Sequence, residues 1–280
     1  MSDRELPEAL KRRFKVETVD EMWKKNLTEG NVRMRRYRHL YGTLPANPRC
    51  VNCHRPFAGL GGWLLRRIQG VERSPKNPRY CVGCHDFTAR FPGGAEIVLT
   101  MLFVDVRGST AIAENMDAQQ FGRLMNRFYE TAIRILVQAD AFIDKLVGDE
   151  VTALFIPGFA GREHARRAVG AARALLGVTG HGDPGGPWIP VGVGVHTGAA
   201  WVGSIHGAGG EAADFTALGD NVNVAARLAS EAGAGEVLLS DAAYIAAGLD
   251  LPGLERRRLT LKGRSEAVAV RVLPSRASGG

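Results

Sequence analysis

The sequence lacks the hydrophobic segments that would place it in or across a membrane. Hydrophobic residues make up 45% of the chain, but no run approaches the ~18 uninterrupted apolar residues that a membrane-spanning helix needs. The N-terminal stretch MSDRELPEALKRRFK contains no apolar segment of the kind found in secretory signals. Charged residues make up only 23%, which excludes a mainly disordered chain. We therefore expect a folded, cytoplasmic protein without a transmembrane segment.

Cysteine is also scarce, and its distribution divides the chain. All four cysteines lie within the first 84 residues. Residues 1–95 also hold 19 Lys and Arg against 9 Asp and Glu, a net charge of +10, whereas the other 185 residues have a net charge of −3. This change of composition indicates two modules, one basic and cysteine-bearing, the other near neutral.

Three regions follow from the residue pattern. Residues 1–45 are polar and basic, with apolar residues at loosely helical spacing, which predicts one or two helices. A cysteine-rich region covers 46–91, and the sequence FPGG at 91–94 predicts a linker. The third region, 96–273, carries regular strand and helix patterns.

The third region is predicted to be an α+β domain. A β-branched run at 96–106 indicates a buried strand, and Asp117 is expected to cap a helix over 117–138. A hairpin over 142–155 turns at Gly148 and Asp149. The other predicted elements are a helix over 161–176, strands at 189–198 and 199–205, a helix over 220–232, a strand at 236–239 and a hairpin over 256–273. Strand, helix, hairpin, helix, strand is the ferredoxin-like order (βαββαβ), an antiparallel sheet with helices on one face.

Two aspartates indicate a cation site in this domain. Asp105 ends the first strand and Asp149 lies in the next hairpin, so neighbouring strands would bring both carboxylates to one sheet edge. Paired carboxylates bind hard cations and leave coordination positions for phosphate. The small residues Gly108, Ser109 and Thr110 then open a helix, where free backbone N–H groups suit a triphosphate. The alternative is that both aspartates are ordinary solvated turn residues.

Three motifs resemble the class III adenylyl and guanylyl cyclases: FVDVRGST (103–110), KLVGDEV (145–151) and FTALGDNVNVAARL (215–228). The resemblance covers roughly 96–273 and implies a head-to-tail homodimer with its catalytic sites at the interface. It implies that Asp105, the backbone of Val106 and Asp149 of one protomer hold two Mg²⁺ or Mn²⁺ ions. The other protomer would supply Lys145 and Thr216 to the purine, Asn223 to the ribose and Arg227 to the phosphates.

The residue at position 145 indicates the nucleotide. The ammonium of Lys145 can donate a hydrogen bond to N1 of adenine, whereas guanine would need an acceptor there. With Thr216, the pair resembles the Thr-type (IIIb) subgroup, so we expect ATP to be converted to 3′,5′-cyclic AMP and pyrophosphate. Lys262 either contacts the β- or γ-phosphate or is simply solvated.

Two alternatives to an active adenylate cyclase stay open. One is a catalytically weak, nucleotide-sensing regulatory homologue. The other is a diguanylate cyclase, because GDEV (148–151) resembles part of that family's GGDEF signature. The motif at 215–228 has no place in the diguanylate cyclases, which makes this alternative remote.

The cysteine-rich region contains a short repeat with a C-x-x-C-H core. Two Cys-x-x-Cys pairs that converge form a tetrahedral thiolate cage, so structural Zn²⁺ on Cys50, Cys53, Cys81 and Cys84 is the first interpretation. An iron–sulfur cluster ranks second and c-type haem third, and disulfides are disfavoured in the cytoplasm. His54 and His85 are expected to be hydrogen-bonding neighbours rather than ligands.

The partner of this basic region is open. Its arginines could contact nucleic acid, but a regulatory or dimerisation role with a solvated basic face, and a regulatory protein partner, are favoured. A redox sensor is a third possibility. The sequence GWLLRRI (62–68) predicts either a membrane-surface or partner-docking element or, as the favoured interpretation, a helix packed on the metal site.

Overall fold

The computed structural model describes residues 6–44, 48–70, 72–206, 212–260 and 267–274. These residues form two compact units. The first comprises the described parts of Met1–Ile97, Ile156–Gly161 and Ala199–Leu218, and the second those of Val98–Phe155, Arg162–Gly198 and Gly219–Gly280. Within these ranges, every helix is too short or too polar to traverse a lipid bilayer.

The elements alternate between helices and strands after an all-helical start. In chain order they are α1 (Glu8–Phe14), α2 (Val19–Thr28), α3 (Val32–Gly42), α4 (Gly59–Gln69), α5 (Val82–Arg90), β1 (Gly94–Val106), α6 (Ser109–Glu114), α7 (Ala118–Gln138), β2 (Phe142–Val147), β3 (Glu150–Phe155), α8 (Pro157–Ala160), α9 (His164–Val178), β4 (Val191–His206), β5 (Ala212–Leu218), α10 (Asp220–Glu231), β6 (Glu236–Ser240), α11 (Asp241–Ala246), β7 (Glu255–Leu259) and β8 (Val268–Pro274).

The described part of the N-terminal region, residues 6–44, holds three helices, α1 to α3, where one or two were predicted. Helix α2 begins with a capping box, because the Thr18 side chain accepts from the Glu21 N–H while Glu21 accepts from the Thr18 N–H. Its apolar face buries Met22, Trp23 and Leu27. The core of the first unit therefore starts well before the cysteines.

The segment FPGG is not a free linker, contrary to its turn-like composition. Phe91 is buried, and Gly93 exchanges hydrogen bonds with Ser204, whose backbone N–H donates to the Gly93 carbonyl over 2.9 Å. Strand β1 begins at Gly94. Backbone pairing and side-chain burial override the local signal of Pro and Gly.

The strand order of the sheet is β2-β3-β1-β4-β6-β8-β7, and β5 pairs with β4. The succession β1, α7, β2, β3, α9, β4 is the ferredoxin-like order expected from the sequence, and the hairpins over β2–β3 and β7–β8 are confirmed. The pairs β1–β3, β2–β3, β4–β5, β6–β8 and β7–β8 are antiparallel, and β4 runs parallel to β6. Helix α7 starts at a capping box between Asp117 and Gln120, which confirms Asp117 as its N-cap.

Strand β4 is continuous over Val191–His206, so the prediction of two separate strands at 189–198 and 199–205 is wrong. The Gly-Ala pair at 198–199 permits extended backbone, and nothing in it forces a turn. Strand β5, which the sequence pattern missed, pairs with β4 so that Gly203 lies opposite Thr216.

Helix α10 lies unusually close to the sheet in the second unit. A Cβ on Gly194 of β4 would lie 2.3 Å from the Ala229 nitrogen and 2.6 Å from the Ala225 carbonyl oxygen. The helix buries Val224 and Leu228 in a core cluster with residues of β6 and β8. A hydrogen bond between His196 and the Asn221 side chain, 2.9 Å long, fixes its first turn.

Candidate active site and cysteine cluster

The edge formed by β1 and β3 brings the two predicted cation ligands together. Asp105 lies opposite Glu150 in the antiparallel register, and the Val106 N–H donates to the Asp149 carbonyl over 3.1 Å. Gly148 occupies the preceding turn position with φ 61°, a conformation that favours glycine. Asp105, Val106 and Asp149 thus lie at one sheet edge, and the Asp149 carboxylate has no hydrogen bond or ion pair within the described ranges.

The electrostatics of Asp105 depend on a neighbour that sequence reasoning left unassigned. Burial, with repulsion from Asp149, raises the pKa of the Asp105 carboxyl, while an ion pair with the Arg107 guanidinium opposes that rise. Arg107 is held in turn by its Nη1, which donates to the Ser230 carbonyl at the end of α10 over 2.7 Å. The sequence signal that could have identified Arg107 is its position within the motif FVDVRGST.

Glu150 and Tyr129 complete this edge. Burial and repulsion from Asp105 raise the pKa of the Glu150 carboxyl, and burial and the Asp149 charge raise the pKa of the Tyr129 phenol. The Tyr129 hydroxyl donates to the Gly148 carbonyl and so ties α7 to the hairpin turn. Three acidic groups within one edge make a region that favours a bound cation.

The small-residue loop after Asp105 opens helix α6 as predicted. Gly108 is its N-cap with φ 67°, and no side chain caps the helix. The first backbone N–H groups, including those of Ser109 and Thr110, therefore have no capping side-chain partner there. The loop therefore places backbone N–H donors without a capping side chain next to the acidic edge that contains Asp105.

Asn223 and Arg227 lie one turn apart on the outer face of α10. Asn223 is exposed, and Arg227 is half-buried beside the packed face of Val224 and Leu228. Their side chains form no hydrogen bond or ion pair in the part of the chain that the structure describes. Both are available to a ligand on that face.

The three remaining predicted substrate contacts differ in exposure. Lys145 lies in β2 at a register shift, its side chain 47% exposed and its Nζ 3.9 Å from Asp144 Oδ2. Thr216 lies on β5 and is fully buried. Lys262 lies outside the described residues.

The four cysteines converge in the first unit. Their Sγ atoms lie within 4.8 Å of one another, all four are buried, and the Cys53 and Cys81 sulfurs are 3.8 Å apart. A tetrahedron of thiolates around zinc, with Zn–S about 2.3 Å, has sulfur–sulfur edges of about 3.8 Å. Hydrogen bonds from the other thiols, Cys50 first, lower the pKa of Cys81. The donor set fits a single tetrahedral metal ion.

Each Cys-x-x-Cys pair lies in its own turn. The Cys50 N–H donates to the Arg55 carbonyl over 2.8 Å and the His54 N–H to the Cys50 carbonyl over 2.8 Å. Cys81 is the N-cap of α5, which places Cys84 in its first turn. The Val51 N–H donates to the Arg79 carbonyl over 3.0 Å and joins the two turns.

The prediction that GWLLRRI forms a helix packed on the metal site is right about the helix and wrong about the packing of its apolar side chains. These residues do form a helix, α4, but Trp63 is 65% exposed and Leu64 48% exposed. The helix packs instead through its glycines, since a Cβ on Gly62 would lie 2.7 Å from the Phe57 carbonyl carbon.

Strand β5 is packed against the N-terminal helices. The Trp23 indole stacks on Phe215 and its Nε1 donates to the Phe91 carbonyl over 3.0 Å. Arg79, from the loop before Cys81, forms an ion pair with Asp214, with its Nη1 3.0 Å from Oδ2. Sequence reasoning missed these contacts, because no periodicity links residues so far apart in the chain.

Comparison with known proteins identifies the second module. The model of the family described as "Adenylate and Guanylate cyclase catalytic domain" matches residues 96–272. An adenylate cyclase of Anabaena cylindrica is 32% identical over 136 residues, which are 46% of this chain and 26% of that protein. Adenylate cyclase 1 of Rhizobium meliloti is 29% identical over 135 residues, 46% of this chain and 20% of that protein. This chain therefore matches about a quarter or less of these relatives' length.

Solved structures agree with the sheet described above. The adenylyl cyclase CyaB from P. aeruginosa aligns with a TM-score of 0.56 and 29% identity, over 67% of this chain and 99% of that chain. The guanylyl cyclase Cya2 aligns with a TM-score of 0.58 and 23% identity, over 64% of this chain and 93% of that chain, and supports the fold alone. The α+β fold predicted from the sequence is confirmed. Since the family model matches more than half of its residues, the chain belongs to the adenylate and guanylate cyclase catalytic domain family.

Proposed function

We propose that the protein is an adenylate cyclase that converts ATP to 3′,5′-cyclic AMP and pyrophosphate. The observation that carries the proposal is the acidic edge of Asp105 and Asp149 beside the uncapped start of α6, in a chain of the cyclase family. Such an edge suits a nucleotide triphosphate with its divalent cations. Adenylate cyclases among the relatives support the reaction type.

Lys145 supports ATP over GTP. An ammonium donates hydrogen bonds and accepts none, so it complements N1 of adenine and opposes the N1–H of guanine. The side chain is 47% exposed and so within reach of a base. Thr216 would be the second purine contact, and since it is fully buried, a base reaches it only if its surroundings move.

Asp105, Val106 through its carbonyl, and Asp149 would hold Mg²⁺ or Mn²⁺, whose preferred ligands are oxygens. Bound there, the ions would acidify the 3′-hydroxyl and neutralise the charge of pyrophosphate. A cation at Asp105 must share or displace the Arg107 ion pair. Arg107 would then be free to move toward the phosphates.

Asn223 and Arg227 would act on the ribose and the α-phosphate. They lie one turn apart on α10, so Asn223 can orient the sugar while the Arg227 guanidinium stabilises the charge that develops as the 3′-oxygen attacks phosphorus. As the class III resemblance implies, these residues would serve a site completed by a second protomer, which makes a homodimer the active form.

The cysteine cluster would hold structural Zn²⁺. Four buried sulfurs within 4.8 Å suit one tetrahedral ion, and zinc at such sites contributes directly to folding. An iron–sulfur cluster on the same thiolates is the second alternative and c-type haem the third. The organisation proposed is thus a basic helical segment (1–45), a zinc module (46–91) and a catalytic domain (96–273).

Three substitutions test the catalytic proposal. Asp105→Ala should abolish cyclic AMP formation and leave the circular dichroism spectrum unchanged, and Lys145→Glu should sharply reduce kcat/KM for ATP. Asp250→Ala, at an exposed position, is the matched control and should retain full activity. Full activity of Asp105→Ala would refute the cation site, and unchanged ATP kinetics of Lys145→Glu would refute the purine contact.

A further inference from the structure

Helix α4 displays an apolar stripe to solvent. Leu60, Trp63, Leu64 and Ile68 are 88%, 65%, 48% and 68% exposed. They stand at helical spacing i, i+3, i+4 and i+8, so they lie on one face of the helix. Single exposed apolar residues are common, but four in one stripe of a short helix mark an interaction surface.

The packing of the inner face of α4 makes this stripe face solvent. Gly62 is buried against Phe57, and Leu65 is half-buried on the same side. Gly61 faces Leu44, whose Cδ1 would lie 3.3 Å from an added Cβ. Larger residues at either glycine would push the helix away, so the exposed face follows from how the inner face packs.

Basic charge accompanies the stripe. Arg67 lies four residues after Trp63 and three after Leu64, which places it beside both on the helix surface. Its guanidinium has no hydrogen bond or ion pair in the described ranges. Residues 59–76 contain Arg66, Arg67, Arg73 and Lys76 against Glu72 alone, a net charge of +3.

We propose that α4 is an interfacial helix that docks the protein on an anionic lipid surface. Leucine, isoleucine and tryptophan would enter the boundary between headgroups and acyl chains while arginine contacts anionic headgroups. Charge complementarity favours this partner over a second copy of the chain. Packing two such stripes together would bury Arg67 of each copy among apolar groups and bring like charges together.

Vesicle sedimentation with the full chain tests the proposal. The protein should bind vesicles of phosphatidylcholine mixed with phosphatidylserine, bind phosphatidylcholine alone about tenfold less, and lose binding as salt rises. Trp63→Glu and Ile68→Glu should remove binding, and Arg67→Glu should weaken it about tenfold. All variants should keep the wild-type circular dichroism spectrum, since these side chains are exposed.

Matched controls lie in the second unit. Ile245→Glu on α11, at a position 73% exposed, and Arg173→Glu on α9, also exposed, should bind like wild type. No binding to either vesicle type, or equal loss in the controls, would overturn the proposal. Loss of self-association by Trp63→Glu in sedimentation velocity, without any effect on vesicles, would assign the stripe to a second copy instead. This proposal is independent of which nucleotide the enzyme uses.

Discussion

The indole of Trp23 stacks on the ring of Phe215, with ring centroids 5.6 Å apart and planes inclined by 29°. Trp23 belongs to α2, near the start of the chain, and Phe215 to β5, directly before Thr216. Phe87 of α5 meets the same indole edge-on at 5.7 Å. Helix α2 precedes the cysteines, and helix α5 carries Cys84. Together they hold β5, the strand that contains the predicted purine contact Thr216.

Trp23→Ala should destabilise the first unit by about 3–5 kcal/mol, because it removes a buried indole and leaves a cavity. Trp63→Ala is the control, since Trp63 is 65% exposed and its loss should cost no more than about 0.5 kcal/mol. Denaturant unfolding followed by near-ultraviolet circular dichroism measures both. Equal effects of the two substitutions would contradict the packing described here.

Gly194→Ala should lower kcat and destabilise the second unit by about 1–3 kcal/mol. The new methyl group would meet the backbone of α10 at 2.3 Å and displace the helix that carries Asn223 and Arg227. Gly170→Ala in α9, where an added Cβ meets nothing within 4 Å, should stabilise the protein by about 0.5–1 kcal/mol. Comparing cyclase rates and melting of the two variants tests whether α10 must approach the sheet this closely.

His181 should make stability fall as the pH drops below about 6.5, the pKa of unfolded histidine. Its Nε2 accepts the Val191 N–H over 3.0 Å, and burial lowers the pKa of the ring. The unfolded chain therefore binds a proton first, and stability is lost as pH falls toward the folded-state pKa. His181→Gln keeps an acceptor that does not titrate.

The melting temperature of His181→Gln should accordingly depend less on pH between about 7 and 5 than that of the wild type. Part of the dependence should remain, because burial also lowers the pKa of His164. An identical slope in His181→Gln would show that this histidine does not titrate with folding.

Cys81→Ser should remove the metal, which we expect at about one zinc ion per chain, and should unfold the first unit at a lower temperature. Cys53, Cys81 and Cys84 line a cavity of about 300 Å³, so a chelator should reach the ion and reproduce the effect. His85→Gln should retain the metal, because we expect His85 to be a hydrogen-bonding neighbour of the cysteines and not a metal ligand. Metal analysis and the visible spectrum measure these outcomes, and a coloured, iron-bearing protein would contradict the zinc assignment.

Local patterns predicted much of the second unit. Asp117 and Gln120 carry a capping box, and Gly148 with Asp149 marks a two-residue turn, so α7 and the β2–β3 hairpin could be placed from sequence. The pairing of β1 with β3, which brings Asp105 and Asp149 to one sheet edge, followed from the expected strand order. Spacing alone predicted the convergence of the cysteines, because each Cys-x-x-Cys pair already forms half of a tetrahedral cage.

The parts that could not be predicted depend on contacts distant in sequence. Trp23 and Phe215 are nearly two hundred residues apart, and Arg79 and Asp214 are 135 residues apart. Thr216 is buried and Trp63 is exposed, whereas threonine is usually exposed and tryptophan usually buried. Tertiary packing decides both, so residue type alone predicts the opposite. The Arg107 ion pair required the turn geometry after β1, which a motif does not specify.

The central claim is that ATP is the substrate. Purified protein should be incubated with equal concentrations of ATP and GTP in the presence of Mn²⁺ or Mg²⁺, and both cyclic nucleotides and pyrophosphate quantified. We predict cyclic AMP and pyrophosphate in equal amounts, with little cyclic GMP. Predominant cyclic GMP, or no cyclic nucleotide with either metal, would contradict the account.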